Sequence, residues 1–362
     1  MNLVLLAQSL TEICEHSLVA PGRSLNCTIL VNPAAGGYKI RSKWKAHVDV
    51  FNEYREKALV NPKRTIFKHI NMTISDGKGS GTKTAQTVIE RAEKNPDPFY
   101  LIISAGGDGT HGEVMMAFYN APAHIRSNIA ILRLPMGTGN DGADSASLAE
   151  ALDLMLKPTR VEFMPAVQLV TAPGGPSCGK TRDKYQAPLL AFNILSIGLD
   201  AYVTHMTNKT KGKLPGDSYK LWVDIAALFY DCAYKVREID VKLFDKDSKE
   251  IASLKEKMLL MAMGASGNRT YGSQQKILPD EHNVCGIKQM SVFRKLAVKK
   301  LVEKGTHTNA PETVFYSAQR IEITGNNPVL AQMDGETILL QPADFPAVME
   351  LTAPVIPVLK RI

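Results

Sequence analysis

The chain has 362 residues, of which 44% are hydrophobic and 22% charged, with a formal net charge of +7. This length is too great for one ordinary domain and suits two, and the composition excludes a disordered or collagen-like chain. The basic balance favours anionic partners (nucleotide, phosphate, nucleic acid or an acidic membrane surface) without choosing among them.

Residues 1–25 read as an N-terminal extension. The apolar start 1–6 is short, lacks a basic leader and is followed by Thr11-Glu12-Ile13-Cys14-Glu15, unlike a signal peptide. Residues 27–31 form a strand that stops at Asn32-Pro33. A helix over 44–57, a strand over 64–71 and a helix over 82–94 follow. The fully apolar strand 100–104 feeds a glycine turn and a helix through Glu113, Val114, Met115 and Phe118, and 129–134 is another strand. Strand–helix alternation predicts a parallel sheet covered on both faces. After Lys157 the pattern changes. Strands are predicted over 161–170, 189–197, 238–244, 257–263, 289–293, 320–324, 330–333 and 337–340, with helices only over 218–231 and 294–304. The expected architecture is an α/β, Rossmann-like nucleotide domain over 26–157 and an all-β, sandwich-like or curved antiparallel domain over 158–362.

The five cysteines, at 14, 27, 178, 232 and 285, have no CxxC spacing. They fit a reduced cytosolic protein, not a disulfide framework or zinc site. No apolar run approaches the roughly 20 residues needed to cross a bilayer.

The strongest chemical signal is Gly106-Gly107-Asp108-Gly109-Thr110, with Glu113 three residues on. Glycines let a phosphate approach the backbone, and the helix that follows offers free N–H groups and a positive dipole end. A carboxylate beside phosphates is repulsive unless a cation intervenes, so Asp108 suggests Mg²⁺. One strand later, Pro135-Met136-Gly137-Thr138-Gly139-Asn140-Asp141 repeats the design. Thr138 can bond phosphate, and Asn140 and Asp141 can bond sugar, water or metal. Asn32-Pro33-Ala34-Ala35-Gly36-Gly37 makes a third such turn. At the carboxyl ends of neighbouring parallel strands, such turns share one crevice.

Gly174-Gly-Pro-Ser-Cys-Gly-Lys-Thr181 matches the P-loop expression. Its mechanism requires a helix to start at Lys180, but Pro188 and a strand follow instead, so it reads as a hairpin loop. Asp334-Gly335-Glu336 reads first as a type I′ hairpin turn, which explains Asp334 and Gly335 but not Glu336.

Together these regions resemble the diacylglycerol kinase catalytic-domain family, which includes bacterial lipid kinases and the sphingosine kinases. The resemblance covers about residues 26 to 345. It rests on Asn32-Pro33 with Gly36, the Gly106–Thr110 turn with Glu113, Pro135–Asp141, Asn193 with Ser196-Ile-Gly-Leu-Asp-Ala201, Gly267-Asn-Arg269 with Tyr271-Gly272 and Pro279, and Asp334-Gly-Glu336. NAD kinases and phosphofructokinases, which share the fold, also carry the Gly106 motif.

The resemblance implies a nucleotide domain and a β-rich lipid domain, with the site in the cleft between them, and transfer of the γ-phosphoryl group of ATP to a lipid hydroxyl. Diacylglycerol is the first expectation, and sphingosine, ceramide, NAD or a non-catalytic role the alternatives. It assigns ATP and Mg²⁺ to Asn32, Gly106, Gly107, Asp108, Gly109, Thr110, Glu113, Gly137, Thr138 and Asn140, with Asp108 and Asp141 toward the metal. Glu336 is then the general base, or Asp108 as in some members of the family.

Departures from the family pattern are Gly112 in place of Asn, Asp144 near an expected Arg, and Asn283–Gln289 in place of an acidic run that holds a structural Mg²⁺ in bacterial members. Cys285 and Gln289 stand where those acids would be, which implies that this site is absent or altered. The expected partners are ATP and a lipid at a membrane surface, with no nucleic acid; a homodimer is left open. The expected location is cytoplasmic, on the inner membrane face. Lys209, Lys211, Lys213 and Lys220, and a helix carrying Arg294, Lys295, Lys299, Lys300 and Lys304 opposite Phe293, Leu296, Ala297 and Leu301, supply a basic amphipathic surface.

Overall fold

The computed structural model describes residues 3–62, 66–137, 140–141, 145, 147–173, 188–210, 218–233, 235–272 and 275–362. The P-loop lookalike at 174–181, Thr138, Asp144 and the lysines at 211 and 213 lie outside them. The chain packs as two units, 1–164 with 354–362, and 165–353.

The first unit is built on a six-stranded sheet. Its strands are β1 (Ser24–Val31), β2 (Ile66–Ile74), β3 (Phe99–Gly106), β4 (Ile129–Pro135), β5 (Thr159–Met164) and the last strand of the chain, β19 (Ile356–Arg361), in the order β2-β1-β3-β4-β19-β5. All but β5 run parallel. Every residue of β3 and β4 is buried, as a sheet with both faces covered requires. Helices α1 (Leu3–Glu15), α3 (Arg41–Leu59) and α7 (Leu148–Leu156) close one face, with Leu6, Ile13, Phe51 and Leu152 against Cys27, Ile29, Leu101 and Leu132. The single turn α2 (Gly36–Lys39) precedes α3. On the other face lie α4 (Ser80–Lys94) and α5 (Asp108–Tyr119), with the short α6 (Ala123–Arg126) beside them. The expected parallel sheet with two covered faces is what forms.

The second unit is antiparallel. Its strands are β6 (Val167–Val170), β7 (Leu189–Ala191), β8 (Ile194–Gly198), β9 (Glu238–Phe244), β10 (Glu250–Gly264), β11 (Arg269–Tyr271), β12 (Gln275–Leu278), β13 (Val284–Lys288), β14 (Thr313–Tyr316), β15 (Arg320–Thr324), β16 (Val329–Met333), β17 (Glu336–Leu340) and β18 (Ala347–Leu351). The main path runs β17-β16-β8-β10-β9-β15-β18-β6-β7, and β13 pairs with β10 and β14. The 15-residue β10 turns the corner of this sheet. Its first half pairs with β9 and alternates between exposed and half-buried residues. Its second half pairs with β8 and β13 and is buried throughout. Helices α8 (Leu199–Thr210), α9 (Ser218–Ala233) and α10 (Val292–Lys304) cover that second half, with Val203, Ala226 and Val298 in one core with Leu259 and Leu260.

Two local expectations are corrected. The segment 199–210 is a third helix, although its valine, tyrosine and three threonines are weak helix formers; Ala201, Val203 and Thr204 are buried, so packing overrides propensity. Residues 289–293 do not form a strand, because β13 ends at Lys288 and α10 begins at Val292. The faces of α10 also differ from the amphipathic reading. Lys295, Val298 and Val302 are the buried row, while Phe293 is 86% exposed. Lys295 can be buried because its ammonium meets Asp231 Oδ2 at 2.5 Å.

Candidate active site

Parallel order places the carboxyl ends of β2, β1, β3 and β4 side by side, the position where open α/β sheets bind ligands. The registers Val31↔Ala105 and Gly106↔Pro135 bring the three glycine turns to one level. The backbone ties them together: Asn32 N donates to Ala105 O at 3.0 Å, Met136 N to Gly106 O at 2.9 Å, and Gly37 N to Met136 O at 2.8 Å. Between the second and third turns the backbones touch. A Cβ on Gly137 would lie 2.7 Å from Gly107 Cα, so that contact requires glycine.

Helix α5 starts at Asp108 with Gly107 as its N-cap, and glycine offers no capping side chain to the N–H groups of the first turn. These donors and the helix dipole form an anion cradle. Ser104 Oγ meets His111 Nδ1 at 2.9 Å and pins the helix to β3.

The predicted residues divide by what they touch. Gly106, Gly107, Gly109 and Gly137 shape the cradle. Asn32 Nδ2 donates to Thr110 Oγ1 at 2.9 Å, and its Oδ1 accepts from Ala34 N at 3.0 Å, so Asn32 and Thr110 brace the first two turns. Asn140, at φ 60°, accepts from Gly137 N at 2.6 Å and closes its own turn. Asp108 and Asp141 are half-buried at the cradle.

Glu113 is committed elsewhere. Its carboxylate accepts from Gly79 N at 2.8 Å and Gly81 N at 2.9 Å, and so caps α4. This contact brings in a fourth glycine-rich segment, Ser75-Asp-Gly-Lys-Gly-Ser-Gly-Thr82, which runs from the end of β2 into the first turn of α4. Sequence reasoning missed it, although three glycines at a strand-to-helix junction are the same signal as at Gly106.

In the second unit, Met333 pairs with Glu336 across a two-residue turn in which Asp334 (φ 45°) and Gly335 (φ 97°) are both left-handed. This is the type I′ geometry expected of Asp-Gly. The Asp334 carboxylate accepts from the backbone of Phe192 (2.5 Å), Asn193 (3.1 Å) and Ile194 (3.0 Å), so it clamps the turn to β8. Glu336 is exposed. Beside it, Asn208 Nδ2 donates to Gly335 O at 2.7 Å.

The donor sets differ in their fit to Mg²⁺. Asp108 and Asp141 carry carboxylate oxygens, the hard donor type that Mg²⁺ would take. Cys285 and Gln289 do not fit. Burial pushes the Cys285 thiol well up, and Gln289 turns its Nε2 donor to Asp231 at 2.7 Å.

The chain is similar to known proteins in sequence and in fold. Residues 26–162 match the model of the diacylglycerol kinase catalytic domain. The matched residues lie in the first unit. The chain is 20% identical over 276 residues to a diacylglycerol kinase of Staphylococcus carnosus (strain TM300), covering 73% of this chain and 78% of that one. It is 22% identical over 282 residues to one of Staphylococcus epidermidis, covering 74% and 75%. A crystal structure of a diacylglycerol kinase from Bacillus anthracis str. Sterne shares the fold, with a TM-score of 0.54 at 16% identity over 94% of this chain and 97% of that one.

Proposed function

We propose that the chain is an ATP-dependent lipid kinase that transfers the γ-phosphoryl group of ATP to a lipid hydroxyl, with diacylglycerol as the acceptor and phosphatidic acid as the product. The observation that carries the acceptor class is an apolar pocket of about 80 Å³ in the second unit, beneath α8, α9 and α10. Leu199, Val203, Leu259, Ile277 and Val298 line it. Its apolar lining suits a hydrocarbon segment. The names of the relatives favour diacylglycerol, while sphingosine or ceramide would fill the same kind of lining.

In this reading the ATP phosphates lie in the cradle of the first unit, on the α5 amides and the three turns. Asp108 and Asp141 are the residues that would hold Mg²⁺, which when bound would supply charge neutralisation at the phosphates. Glu336 takes the proton of the acceptor hydroxyl as its oxygen bonds the γ-phosphorus and ADP leaves; Asp108 is the alternative base. Positioning and charge neutralisation dominate phosphoryl transfer, so several groups share the effect.

A membrane-facing role for α9 and α10 is supported by exposed Leu221 and Phe229 on α9 and by exposed Phe293, Lys300 and Lys304 on α10. No helix among the described residues is long and apolar enough to cross a bilayer. Binding to anionic liposomes at low salt and release at high salt is expected, and indifference to lipid charge refutes this docking.

Labelled ATP offered separately with diacylglycerol, sphingosine, ceramide and NAD tests the activity. A labelled lipid that disappears in Asp108→Asn and Glu336→Gln is expected. Labelled NADP as the sole product overturns the acceptor class, and full activity in both variants overturns the site.

A further inference from the structure

The cavity lining contains a buried carboxylate, Asp200, only 1% exposed. Asp200 stands in the first turn of α8, immediately after β8. Its Oδ2 accepts from Ser196 Oγ at 2.6 Å and from Gln332 Nε2 at 3.1 Å. Gln332 is 4% exposed, and its Nε2 also reaches Ser196 Oγ at 3.0 Å. The other end of the same amide, Oε1, accepts from Gly335 N at 3.1 Å. Gly335 precedes Glu336 in the turn that Asp334 clamps.

The polarity of this chain of bonds is fixed. The carboxylate is acceptor-only and the Gly335 amide is donor-only, so the Gln332 amide satisfies both in one orientation. Rotating it would set oxygen against the carboxylate and NH₂ against N–H. The backbone of residue 332 cannot move to compensate, because it pairs with Ser196 of β8 on one side and Thr337 of β17 on the other. Asp200 and the Gly335 amide are thus joined through one side chain whose Nε2 also reaches Ile194 O at 3.4 Å. Asp200 also faces the cavity, where an occupant's hydroxyl would compete for its oxygens. Tyr271, another lining group, keeps its phenolic proton, since burial first and the Asp200 charge second raise its pKa.

We propose that Asp200 and Gln332 are positioning residues, forming a buried relay that couples occupancy of the apolar cavity to the turn presenting Glu336. The relay rests on the lipid-kinase reading of that cavity. It makes the acceptor lipid organise the turn beside its own reacting hydroxyl. It acts through Glu336, and neither residue exchanges a proton with the substrate.

The test is amide hydrogen exchange of the full chain, with and without dioctanoylglycerol in mixed micelles and without ATP. In the unsubstituted protein the lipid slows exchange both along 259–278, the stretch that contains the lining residues Leu259, Leu260, Tyr271, Gln275 and Ile277, and at Gly335, the latter by about tenfold, equivalent to about 1.4 kcal/mol. In Gln332→Met, and independently in Asp200→Asn, protection of 259–278 persists while that of Gly335 is lost. Gln332→Glu, which sets a second carboxylate against Asp200, lowers kcat for the lipid at least tenfold and leaves the KM for ATP unchanged. A merely structural residue would not give that split. Protection along 259–278 with Gly335 unmoved in the unsubstituted protein overturns the relay alone. No protection anywhere overturns the cavity reading and the relay with it. Full activity in Glu336→Gln overturns the base assignment and leaves the exchange result to decide the relay.

Discussion

Replacing Glu113 with alanine separates a helix cap from a nucleotide ligand. The Glu113 side chain leaves α5 and accepts the N–H groups of Gly79 and Gly81 at the start of α4. Alanine removes both acceptors. Water reaches the exposed Gly79 amide, but Gly81 is buried, and an unsatisfied buried donor costs about 1–3 kcal/mol. Losing the negative charge at the α4 N-terminus costs about 0.3–1 kcal/mol more. The total is about 2 kcal/mol. In a unit of this size each kcal/mol moves the unfolding midpoint by about 2–4 °C, so a fall of about 4–8 °C is expected. Glu113→Gln keeps one acceptor and should lose about half as much. Scanning calorimetry of the full chain measures the midpoint, and titration calorimetry measures ATP affinity. An unchanged midpoint with a tenfold or greater loss of ATP affinity would refute the capping argument and return Glu113 to the nucleotide.

Gly137→Ala puts a methyl group 2.7 Å from Gly107 Cα and 2.8 Å from Asn140 Oδ1, so two cradle turns must part; at least tenfold weaker ATP binding is expected by titration. Lys295→Met leaves Asp231 without its cation, and because that carboxylate is 34% exposed the cost is about 2 kcal/mol by urea unfolding, whereas Lys300→Met at an exposed position costs under about 0.5 kcal/mol. Burial lowers the pKa of His307, whose Nε2 faces Ile277 O at 3.1 Å. Its neutral form is favoured by folding, so the stability it contributes is present above the unfolded value of about 6.5 and is lost as pH falls through the folded value. The midpoint of the second unit should therefore fall on acidification below about pH 6.5, and His307→Gln should flatten that slope.

Much of the fold was legible because its signals are local. A glycine turn after an apolar strand and before a helix is written in consecutive residues. The same holds for the type I′ turn at Asp334-Gly335 and for the change from strand–helix alternation to short strands after Lys157. What escaped were features decided by partners far away in the chain. Helix α8 has weak intrinsic propensity and exists because its small residues pack under a sheet. The charge of Lys295 reads as surface, and only Asp231 on a neighbouring helix permits its burial.

At the candidate site the division is the same. The sequence by itself determined which backbone segments can approach phosphate, since only glycine tolerates the contact between residues 107 and 137 and that property belongs to the residue type. The tertiary structure decided what the carboxylates do. A carboxylate's role is set by the donors that reach it, and here those donors lie more than 30 residues away for Glu113 and 140 or more for Asp334. Glu113 became a cap, Asp334 a clamp and Asp200 the head of a buried chain of hydrogen bonds, because folding brought backbone amides and the Gln332 side chain to acids that the sequence shows only as acids.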